Sequence, residues 1–164
     1  MEGLGLGDNK GYVIPIGVVL IFVAALATGY YFWTRGPPEG YNTISLLDAN
    51  GRAENYPELV IIGENNTFSV AVNVENHMGK TLPFEVRVKI TEQVNPDFPV
   101  QGEALYVNAV TLENGGKWNI TATTTIDTLG NYMVVYELWT QKENSALEFT
   151  GNACVLNVEA INQT

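Results

Sequence analysis

Two kinds of hydrophobic pattern divide this chain. From Tyr12 to Trp33 the text YVIPIGVVLIFVAALATGYYFW carries no charged residue. After Gly40 the pattern changes to short runs in which apolar and polar positions alternate. Phe68, Val70, Val72 and Val74 stand against Ser69, Ala71 and Asn73, then Phe84, Val86, Val88 and Ile90 against Glu85, Arg87, Lys89 and Thr91. At a rise of ~1.5 Å per residue, a helix as long as the first stretch crosses a ~30 Å hydrocarbon layer. Alternation with period two marks strands that bury one face.

The second pattern predicts strands over Tyr41–Leu47, Leu59–Ile62, Thr67–Glu75, Phe84–Ile90, Ala104–Leu112, Lys117–Ile126, Tyr132–Thr140, Leu147–Thr150 and Ala153–Ile161. Between them lie Asp48-Ala49-Asn50-Gly51, Gly63-Glu64-Asn65-Asn66, Asn95-Pro96-Asp97-Phe98-Pro99 and Asp127–Asn131, with Asn114-Gly115-Gly116 as a hairpin-type turn. No helical period follows residue 40. Roughly seven to nine strands with one apolar side predict an antiparallel β-sandwich of immunoglobulin or fibronectin type III kind. The expected organisation is a leader over 1–11, read from its composition as a disordered tail, a transmembrane helix over 12–33, a Pro/Gly linker over 34–40 and an extracytoplasmic sandwich over 41–164.

A cleavable signal peptide is the rival for the apolar stretch. Signal peptides have an apolar core of roughly 7–15 residues, a basic leader and a small-residue cleavage site. Here the core is longer, the leader MEGLGLGDNK holds a single Lys, and the exit reads Tyr30-Tyr31-Phe32-Trp33. Aromatic rings sit well at headgroup level, so this exit fits a retained anchor. Pro15 is expected in the first helical turn, where its missing N–H costs little. Gly17, Ile21, Ala25 and Gly29 recur at i+4 and predict a seam for close helix packing, although Gly and Ala are common in any membrane helix.

Charge narrows the partners. The chain has 18 acidic and 8 basic residues, net −10, and nearly all of that charge follows the helix. A nucleic acid or an anionic lipid surface would be repelled by the domain. The single cysteine, Cys154, rules out an internal disulfide. Lys10 and Arg35 flank the helix symmetrically and do not set its orientation. Three N-x-S/T sequons, at Asn65, Asn119 and Asn162, favour a cytoplasmic N-terminus and a domain outside the cytoplasm, with N-glycosylation as a candidate modification.

The segment Gly51-Arg52-Ala53-Glu54-Asn55-Tyr56-Pro57, followed by Gly63-Glu64-Asn65-Asn66-Thr67 and Val74-Glu75-Asn76-His77, resembles a family of uncharacterised archaeal and bacterial membrane proteins, domain of unknown function 1616. That family has a G-x-A-E-x-Y-P turn and strand, a G-E-N-x-T turn and a V-x-N strand end. The resemblance runs from about Ile44 to Val158 and takes in Trp118 and Leu138-Trp139. It implies a membrane-anchored β-sandwich and no activity or catalytic residues. Members usually carry several membrane helices ahead of this domain, where this chain has one apolar stretch.

Candidate chemistry is sparse. His77 is the only histidine and falls in the turn Asn76-His77-Met78-Gly79, beside no nucleophile. A blue-copper centre needs two His and a Cys, and a binuclear copper site needs two cysteines. Neither set exists here, which leaves a metal-free relic of a cupredoxin-like domain in a respiratory-type complex as a distant reading. Cys154 alternates with Leu156, Val158 and Ala160 and is read as a small buried hydrophobe. Asp48-Ala49-Asn50-Gly51 echoes part of a calcium loop without its further ligands and is read as a plain turn. Gly115-Gly116 has no strand–helix context for phosphate. Trp118, Trp139, Tyr106 and Tyr136 form a sugar-binding platform only if one exposed face gathers them, and core or girdle positions are the ordinary expectation. The sequence therefore predicts no catalytic residue, no metal and no cofactor. It predicts an accessory or structural subunit whose partners are the bilayer and other membrane or surface proteins. The alternative is a membrane-tethered binding module for a sugar, peptide or metal.

Overall fold

A computed structural model describes residues 10–34, 36, 39–48, 51–141 and 146–163, with side chains in the N-terminal helix from Gly17 onward. Residues 1–9 of the leader, the linker residues Arg35, Pro37 and Pro38, the turn residues Ala49 and Asn50 and the sequon residue Thr164 lie outside the described residues, while Lys10 and Gly11 of the expected leader belong to the helix. Helix α1 spans Lys10–Thr34. Because it starts ahead of Tyr12, Pro15 falls in its second turn rather than its first, where the ring removes one i→i−4 hydrogen bond. Thr28 Oγ1 donates to the Ala24 carbonyl at 2.7 Å and Thr34 Oγ1 to the Tyr30 carbonyl at 2.9 Å. These two threonine hydroxyls are thereby satisfied within the helix. The helix belongs to one compact unit, and Gly40–Thr164 form the other.

The second unit is a two-sheet sandwich. Strands β1 (Tyr41–Leu47), β3 (Thr67–His77) and β6 (Lys117–Thr125) make a three-stranded sheet in the order β1-β3-β6. Strands β2 (Leu59–Ile62), β8 (Leu147–Asn162), β7 (Gly130–Gln141), β4 (Leu82–Thr91) and β5 (Tyr106–Leu112) make a five-stranded sheet in that order. The core between them comes from the alternation read in the sequence: Val70, Val72 and Val74 of β3 face Phe84, Val86 and Val88 of β4 and Val134, Tyr136 and Leu138 of β7, all buried. Each such side chain contributes ~1.5–3 kcal/mol when fully buried.

The arrangement is of immunoglobulin type, with the central order β8-β7-β4 on one sheet and β3 flanked by β1 and β6 on the other. Tyr132, at the start of β7, reaches back so that its Oη lies 2.6 Å from Thr128 Oγ1 and 3.4 Å from the Leu129 carbonyl, the tyrosine corner of such folds. Three features depart from the sequence reading. The antiparallel expectation holds for every pair except β2 and β8, which run parallel. The turn at Asn114-Gly115-Gly116 closes no hairpin, because β5 and β6 belong to different sheets. Leu147–Thr150 and Ala153–Ile161 are not two strands but one, β8, joined through a bulge opposite Leu138 where Gly151 takes φ 88°. Only glycine adopts that conformation without strain, so the residue that reads as a break lets the strand continue.

The bulge has a structural consequence. Asn152 Nδ2 donates to Asn42 Oδ1 at 2.7 Å and to the Asn42 carbonyl at 3.0 Å, and Cys154 Sγ donates to the Ile44 carbonyl at 3.4 Å. Side chains of β8 thus cover the backbone edge of β1 that β3 leaves open, and tie the two sheets together.

Candidate functional site

The outer face of the five-stranded sheet carries the chemistry that the core does not use. β4 turns Glu85, Arg87 and Lys89 to this face and β7 turns Met133, Val135, Glu137 and Trp139 to it, because each strand's alternate residues face the core. The long β4–β5 connection folds back over one half of the face and buries Val100 against it. Glu137 is wholly buried and Lys89 nearly so. Their ion pair is 3.2 Å long, and Lys89 also donates to the Val100 carbonyl. Glu137 accepts from the Val100 N–H at 2.5 Å and from Trp139 Nε1 at 3.0 Å. A buried pair survives desolvation only when its remaining hydrogen-bonding capacity is met, and here the carboxylate has three donors.

Aromatic rings close this half. Arg87 lies 4.1 Å from the Trp139 ring centroid and is paired with Glu85. Phe149 packs at 5.9 Å from Trp139, and Phe98 stacks on Phe149 at 6.5 Å. The Lys89–Glu137 pair and these rings therefore clamp the loop to the sheet. Of the aromatics read as a possible platform, only Trp139 is on this face. Tyr136 is in the core, and Tyr106 and Trp118 pack against the core from its margin. Tyr106 and Tyr136 stand opposite Val88, and Trp118 stands opposite Val74, all on the core side, so no exposed face gathers them with Trp139.

The other half of the face is open. At the end of the sandwich away from Gly40, a cleft of about 680 Å³ runs between the start of the β4–β5 loop and the segment 56–58, with β7 and β8 as its floor. Met133 and Val155 give it an apolar strip, and Glu58, Glu92 and Glu159 stand exposed around it. None of these three carboxylates has a hydrogen bond or ion pair among the described residues.

The remaining residues singled out from the sequence serve the scaffold. His77 is the last residue of β3 rather than a residue of an exposed turn. It is half-buried, stacked on Tyr41 at 4.7 Å, and its Nε2 lies 3.1 Å from Glu75 Oε2. Lys117 donates to the other oxygen of Glu75 at 2.7 Å, and these hydrogen bonds, Lys117 first, hold the Glu75 carboxyl below the usual carboxylate range. Burial pushes the Cys154 thiol up. Asp48 Oδ1 accepts from the Arg52 N–H at 2.8 Å, a role within its own turn. Among the described residues no three His, Cys, Asp or Glu side chains form a group suited to a metal ion. Asn65, Asn119 and Asn162 are exposed, and Asn119 Oδ1 accepts from Asn73 Nδ2 at 2.7 Å. On α1, Gly17, Ile21, Ala25 and Gly29 are on the helix surface, and at Ala25 and Gly29 a shallow notch is bordered by Leu26, Tyr30 and Trp33. The span Gly17–Thr34 is long and apolar enough to cross a membrane, and none of it is buried within the fold; a signal sequence has the same properties.

The sequence did not single out the Lys89–Glu137 clamp as a site. Lys89 occupies an outward position of an alternating strand, where charge is ordinary, and nothing local to it announces Glu137.

No family model matches the chain, and no curated protein matches it. Solved structures share its fold. The solution structure of a CARDB domain from Pyrococcus furiosus aligns with TM-score 0.51 at 19% identity, over 76% of this chain and 98% of that one. A crystal structure of the same domain, in complex with di-metal ions, aligns with TM-score 0.52 at 17% identity over 79% of this chain and 100% of that one. A PapD-like domain of human CEP192 aligns with TM-score 0.42 at 15% identity, over 80% of this chain and 92% of that one.

Proposed function

We propose that this chain is a non-catalytic, membrane-anchored subunit of a larger membrane or cell-surface assembly, with α1 as a retained anchor and the sandwich outside the cytoplasm. The observation that carries this reading is the exposure of α1: from Val18 to Thr34 every side chain is exposed, and the apolar ones surround the helix. Such a surface needs lipid or another helix against it. The notch at Ala25 and Gly29 permits close approach of a neighbour. The linker text Gly36–Gly40 is a tether of no more than ~18 Å even when extended. Groups that serve catalysis elsewhere are engaged in the scaffold here: His77 with Glu75 and Tyr41, Lys89 with Glu137, and Cys154 with β1. The resemblance to domain of unknown function 1616 belongs to this reading.

The test is native-gel mobility in a mild detergent, comparing the wild type with A25L/G29L. The substitutions keep the helix apolar and fill the notch. A wild type that migrates as an assembly and a double variant that migrates as the lone chain support the reading. A wild type that already migrates alone overturns it. A second reading, a membrane-tethered binding module, draws on the open cleft at the far end of the sandwich and requires no partner for the helix.

A further inference from the structure

The cleft at the far end contains an unfinished ladder. β2 pairs with β8 from Leu59↔Glu159 to Ile62↔Asn162, and the rung before them is the Glu159 N–H donating to the Glu58 carbonyl at 2.8 Å. There the ladder ends. A strand directs the main-chain groups of alternate residues to the same edge. The edge that Glu159 offers to β2 therefore continues at Asn157 and Val155, and on that edge their N–H and C=O groups have no partner among the described residues. Both residues line the cleft.

Charge specifies what fits. Arg52, Arg87, Lys89 and Lys117 are held by Glu54, Glu85, Glu137 and Glu75, respectively, and Lys80 also has a partner. None of these cations lines the cleft, so among the described residues no positive charge meets Glu58, Glu92 and Glu159 there. Met133 and Val155 supply an apolar strip on which the methylene stems of Lys or Arg can lie.

We infer that this cleft binds an extended, basic segment of a partner protein, which adds main-chain hydrogen bonds to the open edge of β8 at Val155 and Asn157 and places Lys or Arg side chains against Glu58, Glu92 and Glu159. The floor from Val155 to Glu159 is about five residues long at ~3.3 Å each, and its edge is open from Val155 to Asn157, short of the rung that Glu58 fills. Edge addition supplies affinity through the main chain, and the flanking charges supply selectivity and rate of encounter. The inference deepens the subunit reading by giving the partner's chemistry. It makes no use of α1, so it fails or stands separately from the helix-packing test.

The experiment measures fluorescence anisotropy of a dye-labelled, N-acetylated octapeptide alternating Lys and Val, titrated with the full chain in neutral detergent at two salt concentrations. E58Q/E92Q/E159Q changes three exposed side chains that hold no hydrogen bond or ion pair among the described residues. E103Q/E113Q/E148Q removes the same charge from exposed positions outside the cleft. The expected result is a loss of about 10-fold or more for the cleft triple and less than about 2-fold for the control triple. The same peptide N-methylated at alternate residues binds at least several-fold more weakly, because it cannot complete the ladder. Equal losses in the two triples reduce the effect to general attraction by an acidic protein and overturn the proposal. Undiminished binding of the N-methylated peptide overturns strand addition, and no binding of the Lys–Val peptide overturns both parts.

Discussion

Asn76 shows what one buried amide does in this fold. It is fully buried at the end of β3, where its Nδ2 donates to the carbonyls of Leu112 at 2.8 Å and Lys80 at 2.9 Å, and its Oδ1 accepts from the Met78 N–H at 3.0 Å. Its main chain also bonds to Gly115 and Gly116. The residue fastens the β3–β4 turn to the β5–β6 crossing. Replacing it with Ala strands several buried polar groups, and Asn76→Ala is expected to lower stability by about 3 kcal/mol in urea unfolding followed by tryptophan fluorescence. Tyr136 is the opposite case. Its hydroxyl and that of Thr124 are buried without a hydrogen-bond partner in good geometry, and burial pushes the Tyr136 pKa up to about 12 from 10.0, with Thr124 offsetting part of the shift. Below pH 10 both folded and unfolded states keep this proton. Between 10 and 12 the unfolded state alone releases it, so stability falls with rising pH by an amount on the order of 3 kcal/mol. Tyr136→Phe is expected to remove that part of the alkaline decline in unfolding measured from pH 9 to 12. An unchanged slope counts against the assignment.

At the scale of elements, the β4–β5 loop is held by chemistry more than by local conformation. Its Val100 N–H and C=O are taken by Glu137 and Lys89, and Phe98 rests on Phe149. Glu137→Gln leaves the Lys89 charge buried without its counter-charge and is expected to cost about 3 kcal/mol or more. Amide exchange at Val100 is expected to accelerate beyond exchange in β3, because the loop opens before the core does. Uniform acceleration throughout the sandwich argues against a separately held loop. The alternation of β4 made its strand legible, and it placed Lys89 on the outer face. It did not reveal that this face is covered, because a loop of polar text and a solvent-exposed loop read alike. The cleft was likewise illegible. Glu58, Glu92 and Glu159 lie on three separate segments, and only the ends of β2, β4 and β8 bring them to one place.

For the whole molecule, the proposed function gives the helix and the sandwich different solvents, and orientation then decides what the sandwich meets. The sequons and the size of the domain put residues after Arg35 outside the cytoplasm under the proposed function. Protease added to intact cells is expected to remove the sandwich and spare the leader, as followed with an N-terminal tag. Cleavage only in inverted or lysed membranes reverses the orientation. Exposure of Asn65 and Asn119 makes the folded surface compatible with modification at both, and a mass shift on each Asn→Gln substitution measures its use.

The sequence by itself determined the features set by short-range physics. An uninterrupted apolar run specifies a helix apolar on every side, and period-two alternation specifies which faces of β3, β4 and β7 make the core. Gly63-Glu64 and Asn114-Gly115 specify bends, whereas Gly151-Asn152 does not. Tertiary structure alone decided which strands are neighbours. The parallel pairing of β2 with β8, the crossing between sheets at Asn114–Gly116 and the joining of two runs into one strand at Gly151 each satisfy backbone groups far apart in sequence. Periodicity tells a strand which side to bury. Its partner is chosen by the fit of edges, turns and core volume across the whole sandwich, and the edge of β8 at Val155 and Asn157 is open only because that choice starts β2 at Leu59.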